Sequence, residues 1–192
     1  IVEKYIMSIL PHITPALFRK VVVTTILEFG PLVLFLIAYD FFHIYKATFI
    51  LMGATILSTV VMYHREKRLP YAGLYVAFLT ICFGYLTLTH QNPGFIQLRD
   101  TVYDVINALV LLVGLLFNVL FLKIAFNNVI PMTTHSWRRL TYAWVLFFIL
   151  AALVNEYIRQ FQPFDIWITY KTAMIFITTI FGFGALFLFY EK

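Results

Sequence analysis

Ionisable and amide side chains are scarce in this sequence, and several of them stand at the ends of long apolar stretches in its second half. An ionisable group at membrane depth is costly to bury, so each one is a candidate functional residue. Carboxylates that face basic groups can bind an ion or a charged headgroup, or they can pair with one another and hold helices together. The candidate polar cluster consists of Asp104, Asn107, Asn155, Glu156, Arg159 and Lys171, with Glu28 as a more distant seventh member.

The spacing of these residues favours a common location. Asp100, Asp104 and Asn107 are separated by four and three residues, which places them on one face of a helix. In a bundle of six spans, the start of the fourth helix, the end of the fifth and the start of the sixth lie on the same side of the membrane. The residues expected to form an ion-paired cluster there are Asp104, Glu156, Arg159 and Lys171.

Two interpretations of this cluster stay open at the level of sequence. The functional one is a small polar cavity that admits a headgroup, an ion or a partner. The structural one is mutual pairing at helix ends near water, which fastens the bundle. The structural interpretation is favoured, because charged side chains within about a turn of the interface can reach the headgroup region.

Glu28 differs from the cluster because it lies nearer the middle of an apolar stretch, just before Gly30 and Pro31. A broken helix beside a carboxylate is typical of ion and substrate sites in transporters. The alternatives are a kink whose polar groups are satisfied by partners, or a glutamate near the interface if the helix begins later.

Single amides and small residues predict contacts between helices. The side chains of Asn107, Asn118 and Asn155 are expected to hydrogen-bond between helices rather than to bind a ligand. Small residues let helix backbones approach closely. The run in the last apolar stretch that is expected to form a close-packing surface contains Gly182, Gly184 and Ala185.

The sequence offers no catalytic or cofactor-binding pattern. Its five histidines are scattered without metal-ligand spacing, and Cys82 is the single cysteine. No nucleophile stands beside a base, and the common hydrolase, protease, phosphate-loop and dinucleotide motifs are missing. We predict a protein that is not an enzyme and that holds neither a metal nor a cofactor.

The composition requires a lipid environment for the elements that carry these residues. Hydrophobic residues make up 62% of the chain and charged residues 12%, and the mean hydropathy is +0.89. A soluble chain of 192 residues cannot bury so much apolar surface in one core. The apolar stretches are continuous rather than alternating, which predicts helices and not barrel strands. They run roughly over Val21–Tyr39, Ala47–Tyr63, Tyr71–Thr89, Val102–Leu122, Leu140–Tyr157 and Trp167–Tyr190.

We therefore predict an all-α integral membrane protein with a bundle of about six transmembrane helices. These helices form a single domain, residues 21–192, and an interfacial or irregular arm, residues 1–20, precedes them. The first helix is expected to be kinked or broken at Gly30-Pro31, because proline removes a backbone donor.

The basic residues predict the orientation of the chain. With the N-terminus on the inner side, ten of the 14 Lys and Arg residues lie on that side. The positive-inside rule then places both termini on the cytoplasmic side, or on the matrix side of a mitochondrion. The net charge of +5 is explained by these loops, so nucleic acid is not an expected partner. The four basic residues left on the outer side are Lys46, Arg99, Arg159 and Lys171.

Three groups of residues resemble a known family: Leu27-Glu28-Phe29-Gly30-Pro31-Leu32, then Phe83-Gly84-Tyr85-Leu86-Thr87-Leu88, then Ser136-Trp137-Arg138-Arg139-Leu140-Thr141 with Asn155-Glu156 and Lys171. In this order and spacing, from about Val22 to the end, the chain resembles a divergent member of the intracellular septation protein A family, with an alphaproteobacterial character. The resemblance implies an inner-membrane protein linked to cell division and the cell envelope, without an established reaction.

Three functions follow as hypotheses. The first is a non-enzymatic inner-membrane protein that supports envelope biogenesis and septation through helix-mediated contacts with other integral membrane proteins and with membrane lipids. The second is an accessory subunit of a large respiratory or ATP-synthesising membrane complex, with a mitochondrial location as one option. The third is a small transporter or lipid-translocating protein that uses Glu28 and the polar cluster.

Overall fold

The computed structural model describes residues 15–67, 69–127 and 130–190, and this part of the chain is helical apart from short turns. Its six helices are α1 Pro15–Glu66, α2 Tyr71–His90, α3 Gly94–Leu116, α4 Phe121–Phe126, α5 Thr134–Phe161 and α6 Phe164–Phe189. The predicted all-α membrane fold is confirmed. The described residues divide into two units at residue 88, and each unit is considered by itself.

Helix α1 is a hairpin of two helices that meet at His43. Its 52 residues would span about 78 Å if straight, against about 30 Å of hydrocarbon. His43 has φ 59° and ψ 178°, which is not helical. The hydroxyl of Ser58 donates a hydrogen bond to the carbonyl of Leu27, so the chain reverses between these two residues. The first two apolar stretches of the sequence therefore lie side by side.

The same hydrogen bond explains how proline is accommodated inside α1. Pro31 has no N–H, so the carbonyl four residues earlier, that of Leu27, loses its partner within the helix. Lipid cannot satisfy this carbonyl, and the Ser58 hydroxyl from the second half of the hairpin does so. Gly30 and Pro31 thus lie inside the helix. Among the described residues of α1, His43 is the one with non-helical backbone angles.

Helix α2 packs antiparallel to the second half of α1 through small and hydroxyl-bearing residues. A Cβ added to Gly84 would lie within 2.8 Å of Met52 side-chain atoms, so these helices touch closely at this point. Thr59 donates to the carbonyl of Gly73 at 3.4 Å and to that of Thr55 at 2.8 Å. Small side chains and satisfied hydroxyls are the usual material of helix contacts in lipid.

In the second unit, α3 and α6 both pack on α5. The α5–α6 contact includes a stack of Phe147 on Phe181, with ring centroids 4.5 Å apart, and an edge-on contact of Trp144 with Phe181 at 5.1 Å. Towards the C-terminus of α6, a buried apolar cluster joins this helix to the start of α5 and to the turn after α3. Its buried members are Leu120, Met132, Trp137, Leu140 and Ala185.

Helix α3 ends six residues earlier than the predicted stretch Val102–Leu122. Asn118 takes the left-handed conformation with φ 57°. Its N–H bonds to the carbonyl of Leu115 at 3.2 Å, and the N–H of Val119 bonds to the carbonyl of Gly114 at 2.7 Å. This pair of bonds is the Schellman motif, which satisfies the last carbonyls of a helix and turns the chain away. Apolarity continues through the turn into α4, so hydropathy alone did not place the end.

By length and composition, four segments of the described residues can cross a membrane: Val23–Arg65, Tyr71–His90, Thr134–Phe161 and Phe164–Phe189. The first of them contains both halves of the α1 hairpin. Helix α3 is also 23 residues long, but Arg99, Asp100 and Asp104 make its first turns polar. The outer faces are apolar, as in α6, where Ile180 and Phe183 are 71% and 72% exposed; lipid is the solvent that suits them.

The small residues of α6 point in two directions. A Cβ on Gly182 would lie 3.5 Å from the ring of Trp144, and Ala185 is buried against α5. These two residues serve packing within the chain. A Cβ on Gly184 would meet nothing within 4 Å, so this glycine faces outward.

Most of the predicted N-terminal arm lies outside the described residues, which begin at Pro15. The residues of the arm that are described belong to the start of α1. The division into an arm, residues 1–20, and one domain, residues 21–192, stays a prediction.

The close approach at Gly114 gives the first testable prediction. A Cβ there would lie 2.6 Å from the backbone oxygen of Val119 and 2.8 Å from the ring of Phe121. Because backbone cannot step aside, Gly114→Ala should lower the free energy of unfolding by about 2 kcal/mol. Thermal or SDS-induced unfolding in mixed micelles, followed by circular dichroism, measures this change.

The matched control is Gly184→Ala, where the added methyl group enters open space. This variant should be as stable as the parent, or slightly more stable because alanine is the better helix former. Equal stability of the two alanine variants would contradict the packing described for the turn after α3.

Candidate functional site

Asn155 is the centre of a buried hydrogen-bond network between α3, α5 and α6. Its amide nitrogen donates to the backbone carbonyl of Gln97 at 3.0 Å and to the hydroxyl of Thr101 at 2.8 Å. Its amide oxygen accepts a hydrogen bond from the indole N–H of Trp167 at 2.9 Å. The side chain of Asn155 has no exposed surface. One amide therefore ties three helices together where water does not reach.

Glu156, the residue after Asn155 on α5, forms an ion pair. Arg159 donates through two nitrogens to the two carboxylate oxygens of Glu156, one turn earlier on the same helix. Gln160 also donates to this carboxylate, and Thr101 of α3 donates to it at 3.3 Å. The two charged side chains are 26% and 29% exposed, so they lie at the rim of the network rather than inside it.

A second charged group links α3 to α6. Lys171 lies 2.9 Å from one carboxylate oxygen of Asp100, and Arg99 donates to the other oxygen at 2.6 Å and 2.9 Å. Asp100 is 8% exposed. Asp104 lies one turn along α3, within electrostatic range of Asp100 and Lys171. Buried charges are retained at a helix interface only when partners of this kind neutralise them.

The two groups place acidic side chains beside basic ones. Three carboxylates, those of Asp100, Asp104 and Glu156, face three cations on the same ends of α3, α5 and α6. The cations are Arg99, Arg159 and Lys171. Asp165 adds a fourth carboxylate in the first turn of α6. The pairing of opposite charges between helices suits the arrangement to holding the helices in register.

The structure brings most of the predicted cluster to one end of the second unit, with changed partners. Lys171 pairs with Asp100 rather than with Asp104 or Glu156. Asn107 donates to the carbonyl of Tyr103 on its own helix at 2.8 Å, so this hydrogen bond is not between helices. Asn118 ends α3 and accepts a hydrogen bond from Arg138.

Glu28 belongs to the first unit, where its side chain is exposed on the first half of α1. The carbonyl freed by Pro31 is used by Ser58. The functional role of the site residues stays a prediction.

Sequence reasoning did not assign Gln97, Thr101 and Trp167 to the site. A signal was available, because Gln97 and Thr101 are four residues apart and share the face of α3 that also carries Asp104. A buried asparagine needs donors and acceptors from neighbouring helices, and polar residues with this spacing are the natural source. The pairing with Trp167 is not local, and nothing in the sequence pointed to it.

Below the network, α3 and α5 enclose a shallow apolar groove rather than a polar cavity. Its lining is Val105, Ala108, Leu109, Leu112, Ile149, Ala152 and Leu153. Among the described residues, no group of three His, Cys, Asp or Glu side chains is placed to hold a metal ion. The polar side chains at this end are consequently directed at one another.

Comparison with known proteins identifies the chain. The family model of intracellular septation protein A matches residues 23–192. The chain belongs to the intracellular septation protein A family. The resemblance seen in the sequence is thereby confirmed, and the match covers every described helix from the first half of α1 onward.

Named relatives of this family are similar over most of their length. The inner membrane-spanning protein YciB of Afipia carboxidovorans is 34% identical over 156 residues, which are 81% of this chain and 78% of the relative. The protein of the same name from Shewanella oneidensis is 35% identical over 159 residues, or 81% and 88% of the two chains. No solved structure matches the chain.

In this member of the septation protein A family, Asn155 provides the second testable prediction. Asn155→Leu keeps the branched shape and the number of side-chain heavy atoms but removes three hydrogen bonds. Hydrogen bonds between membrane helices contribute about 0.6 kcal/mol each and up to about 1.7. We expect the free energy of unfolding in mixed micelles to fall by about 2 kcal/mol. Trp167 fluorescence should change as well, because its N–H loses its acceptor.

Asn107→Leu is the matched control, because the side chain of Asn107 donates to a carbonyl of its own helix, that of Tyr103. Its expected loss of stability is about 0.5 kcal/mol or less. If the two leucine variants lose the same stability, Asn155 is not the centre of the α3–α5–α6 contact.

Proposed function

We propose that this chain is a non-enzymatic, multi-pass inner-membrane protein that supports septation and biogenesis of the cell envelope through helix contacts with other integral membrane proteins. The family match carries the proposal. The relatives named above are bacterial proteins whose name describes them as inner membrane-spanning. The ten-to-four distribution of basic residues supports both termini on the cytoplasmic side.

The internal use of the polar residues supports a role other than catalysis. A catalytic group must be able to reach a substrate, with an acid, base or nucleophile held in a cleft. Here the amide of Asn155 makes bonds on both sides, and Asp100 is held between Arg99 and Lys171. Each of these groups stabilises the helix bundle where it stands.

The outward face of α6 is the surface that we propose for partner contacts. Only a small part of this helix is buried within the chain. Phe183 and Phe187 are exposed, and the outward-facing Gly184 beside them leaves space for the backbone of another helix. Small residues next to large apolar ones permit the close packing on which association of membrane helices depends.

The experiment is affinity purification of the full chain from native membranes with mass spectrometry of the proteins that accompany it. We expect integral membrane proteins of division and envelope synthesis to be enriched. Gly184→Leu should reduce their recovery several-fold, because the larger side chain keeps another helix at a distance. Gly53→Leu is the control, since Gly53 also lies in an apolar helix with open space around it.

Recovery of the chain alone would contradict the proposal, and so would equal recovery of partners by both leucine variants. In the second case the contacts would have to lie elsewhere than on α6.

Transport is the second candidate function. It is favoured by the ion pair between Lys171 of α6 and Asp100 of α3. Charged residues at such positions mark ion and proton pathways in many transporters. Proteoliposomes that contain the chain distinguish the two functions. A flux that Lys171→Met abolishes would favour transport, whereas a membrane-contact protein gives no flux above that of empty liposomes.

A further inference from the structure

The segment between α3 and α5 carries two basic side chains that hydrogen bonds hold against neutral oxygens. The ammonium group of Lys123 donates to the hydroxyl of Thr134 at 2.8 Å. The guanidinium of Arg138 donates to the amide oxygen of Asn118 at 2.8 Å. Neither partner carries a charge, so both cations are positioned without being neutralised by these bonds. Lys123 and Arg138 are called the basic platform below.

The segment that carries the platform holds basic residues and no acidic ones. The sequence from Phe117 to Arg139 contains no aspartate and no glutamate. Arg139 adds a further positive charge beside Arg138, and it lies over the ring of Phe189 at 5.0 Å. The acidic residues of α3 and α5 are at the opposite ends of these helices, where they form the ion pairs of the polar network.

Local structure fixes the platform. Asn118 holds the left-handed turn that ends α3, and its side chain is the acceptor for Arg138. At the other end of the segment, the Thr133 hydroxyl accepts from the N–H of Ser136 at 3.2 Å and caps α5. Lys123 lies on α4, where its carbonyl accepts a hydrogen bond from the N–H of Asn127 at 2.9 Å, and Arg138 lies near the capped start of α5. Both cations thus come from helical backbone.

Large apolar side chains surround the platform on the same short segment. Phe117 and Ile124 are 76% and 70% exposed, and Phe121 and Phe126 are also exposed. Cations that alternate with exposed aromatic and aliphatic side chains are typical of segments that lie in the headgroup region of a membrane. There the cations meet phosphate groups and the apolar side chains meet acyl chains.

From this arrangement we infer that the basic platform is a binding site for an anionic phospholipid in the leaflet that contains the α3–α5 turn. Lys123 and Arg138 hold the phosphate with their remaining N–H donors, and Phe121 and Ile124 pack against the acyl chains. An acidic soluble protein fits less well, because its docking would leave these apolar side chains in water. The inference is independent of the proposed contacts on α6.

Native mass spectrometry of the full chain in detergent tests the site, with phosphatidylglycerol and phosphatidylcholine added separately. We expect preferential binding of phosphatidylglycerol. A lysine or arginine near an anionic surface contributes about 1 kcal/mol, which is roughly a fivefold change in affinity per charge. The double variant Lys123→Gln, Arg138→Gln should therefore lose at least about tenfold in affinity for phosphatidylglycerol.

Two further variants separate a specific site from general surface charge. Arg65→Gln with Lys67→Gln removes two exposed basic residues, one in the last turn of α1 and one just after it, and it should leave binding unchanged. Lys123→Arg with Arg138→Lys keeps the charges and should retain binding within about threefold. If the double glutamine variant does not fold, the single variants Lys123→Gln and Lys123→Arg are compared instead.

Several outcomes would overturn the inference. One is equal binding of phosphatidylglycerol and phosphatidylcholine by the parent chain. Another is an equal loss of binding in the Arg65/Lys67 control, which would make the effect one of total charge. Displacement of the lipid by glycerol phosphate at the same concentration would show that a free phosphate compound, not a membrane lipid, is the occupant.

Discussion

The absence of water around the membrane-spanning helices is the constraint on which the structure depends. A polar group that lipid surrounds has to find its partner within the chain. The carbonyl of Leu27, which Pro31 leaves without its helical donor, is bonded by Ser58. The amide of Asn155 is bonded on both its oxygen and its nitrogen. These bonds decide which helices lie together, since the apolar side chains alone are nearly indifferent to their neighbours in lipid.

This constraint separates structural chemistry from functional contacts. The polar residues at the ends of α3, α5 and α6 are directed inward and pair with one another. What the described residues offer to the outside is apolar surface, such as the outer face of α6, and the basic turn between α3 and α5. A protein built in this way acts through what it touches in the membrane, and both proposals place the contacts on those surfaces.

The sequence was sufficient for the fold class, because apolar length and composition are properties of each segment by itself. The family was recognised from the resemblance of three groups of residues, and the family match confirms it. The turns were harder. The gap between the first two predicted stretches marked the reversal at His43, although Tyr39 to Lys46 contains neither proline nor glycine. Gly30-Pro31 had a stronger signal for a break and lies inside a helix. The end of α3 at Asn118 was hidden by continuing apolarity.

The sequence predicted which helix ends carry the polar residues, but it did not predict which charged residues pair with each other. Helix spacing placed Asp104, Asn155, Glu156 and Lys171 at the same end of the bundle, because alternating spans bring these ends together. Which residue of α3 faces Lys171 depends on the rotation of two helices, and that rotation is a tertiary property. For this reason Asp100 was found to be the partner only in the structure.

The most direct test of the membrane crossings is the labelling of single cysteines by a membrane-impermeant maleimide. The cysteines are introduced in a Cys82→Ser background, and the labelling is done on intact cells or spheroplasts. Cysteines at Lys46, Gln91 and Gln162 should react from outside, and those at Lys67 and His135 only after permeabilisation. This alternation requires the α1 hairpin and the other apolar helices to cross the bilayer. Labelling of positions 46 and 67 from the same side would contradict it, because the second half of α1 would then not cross.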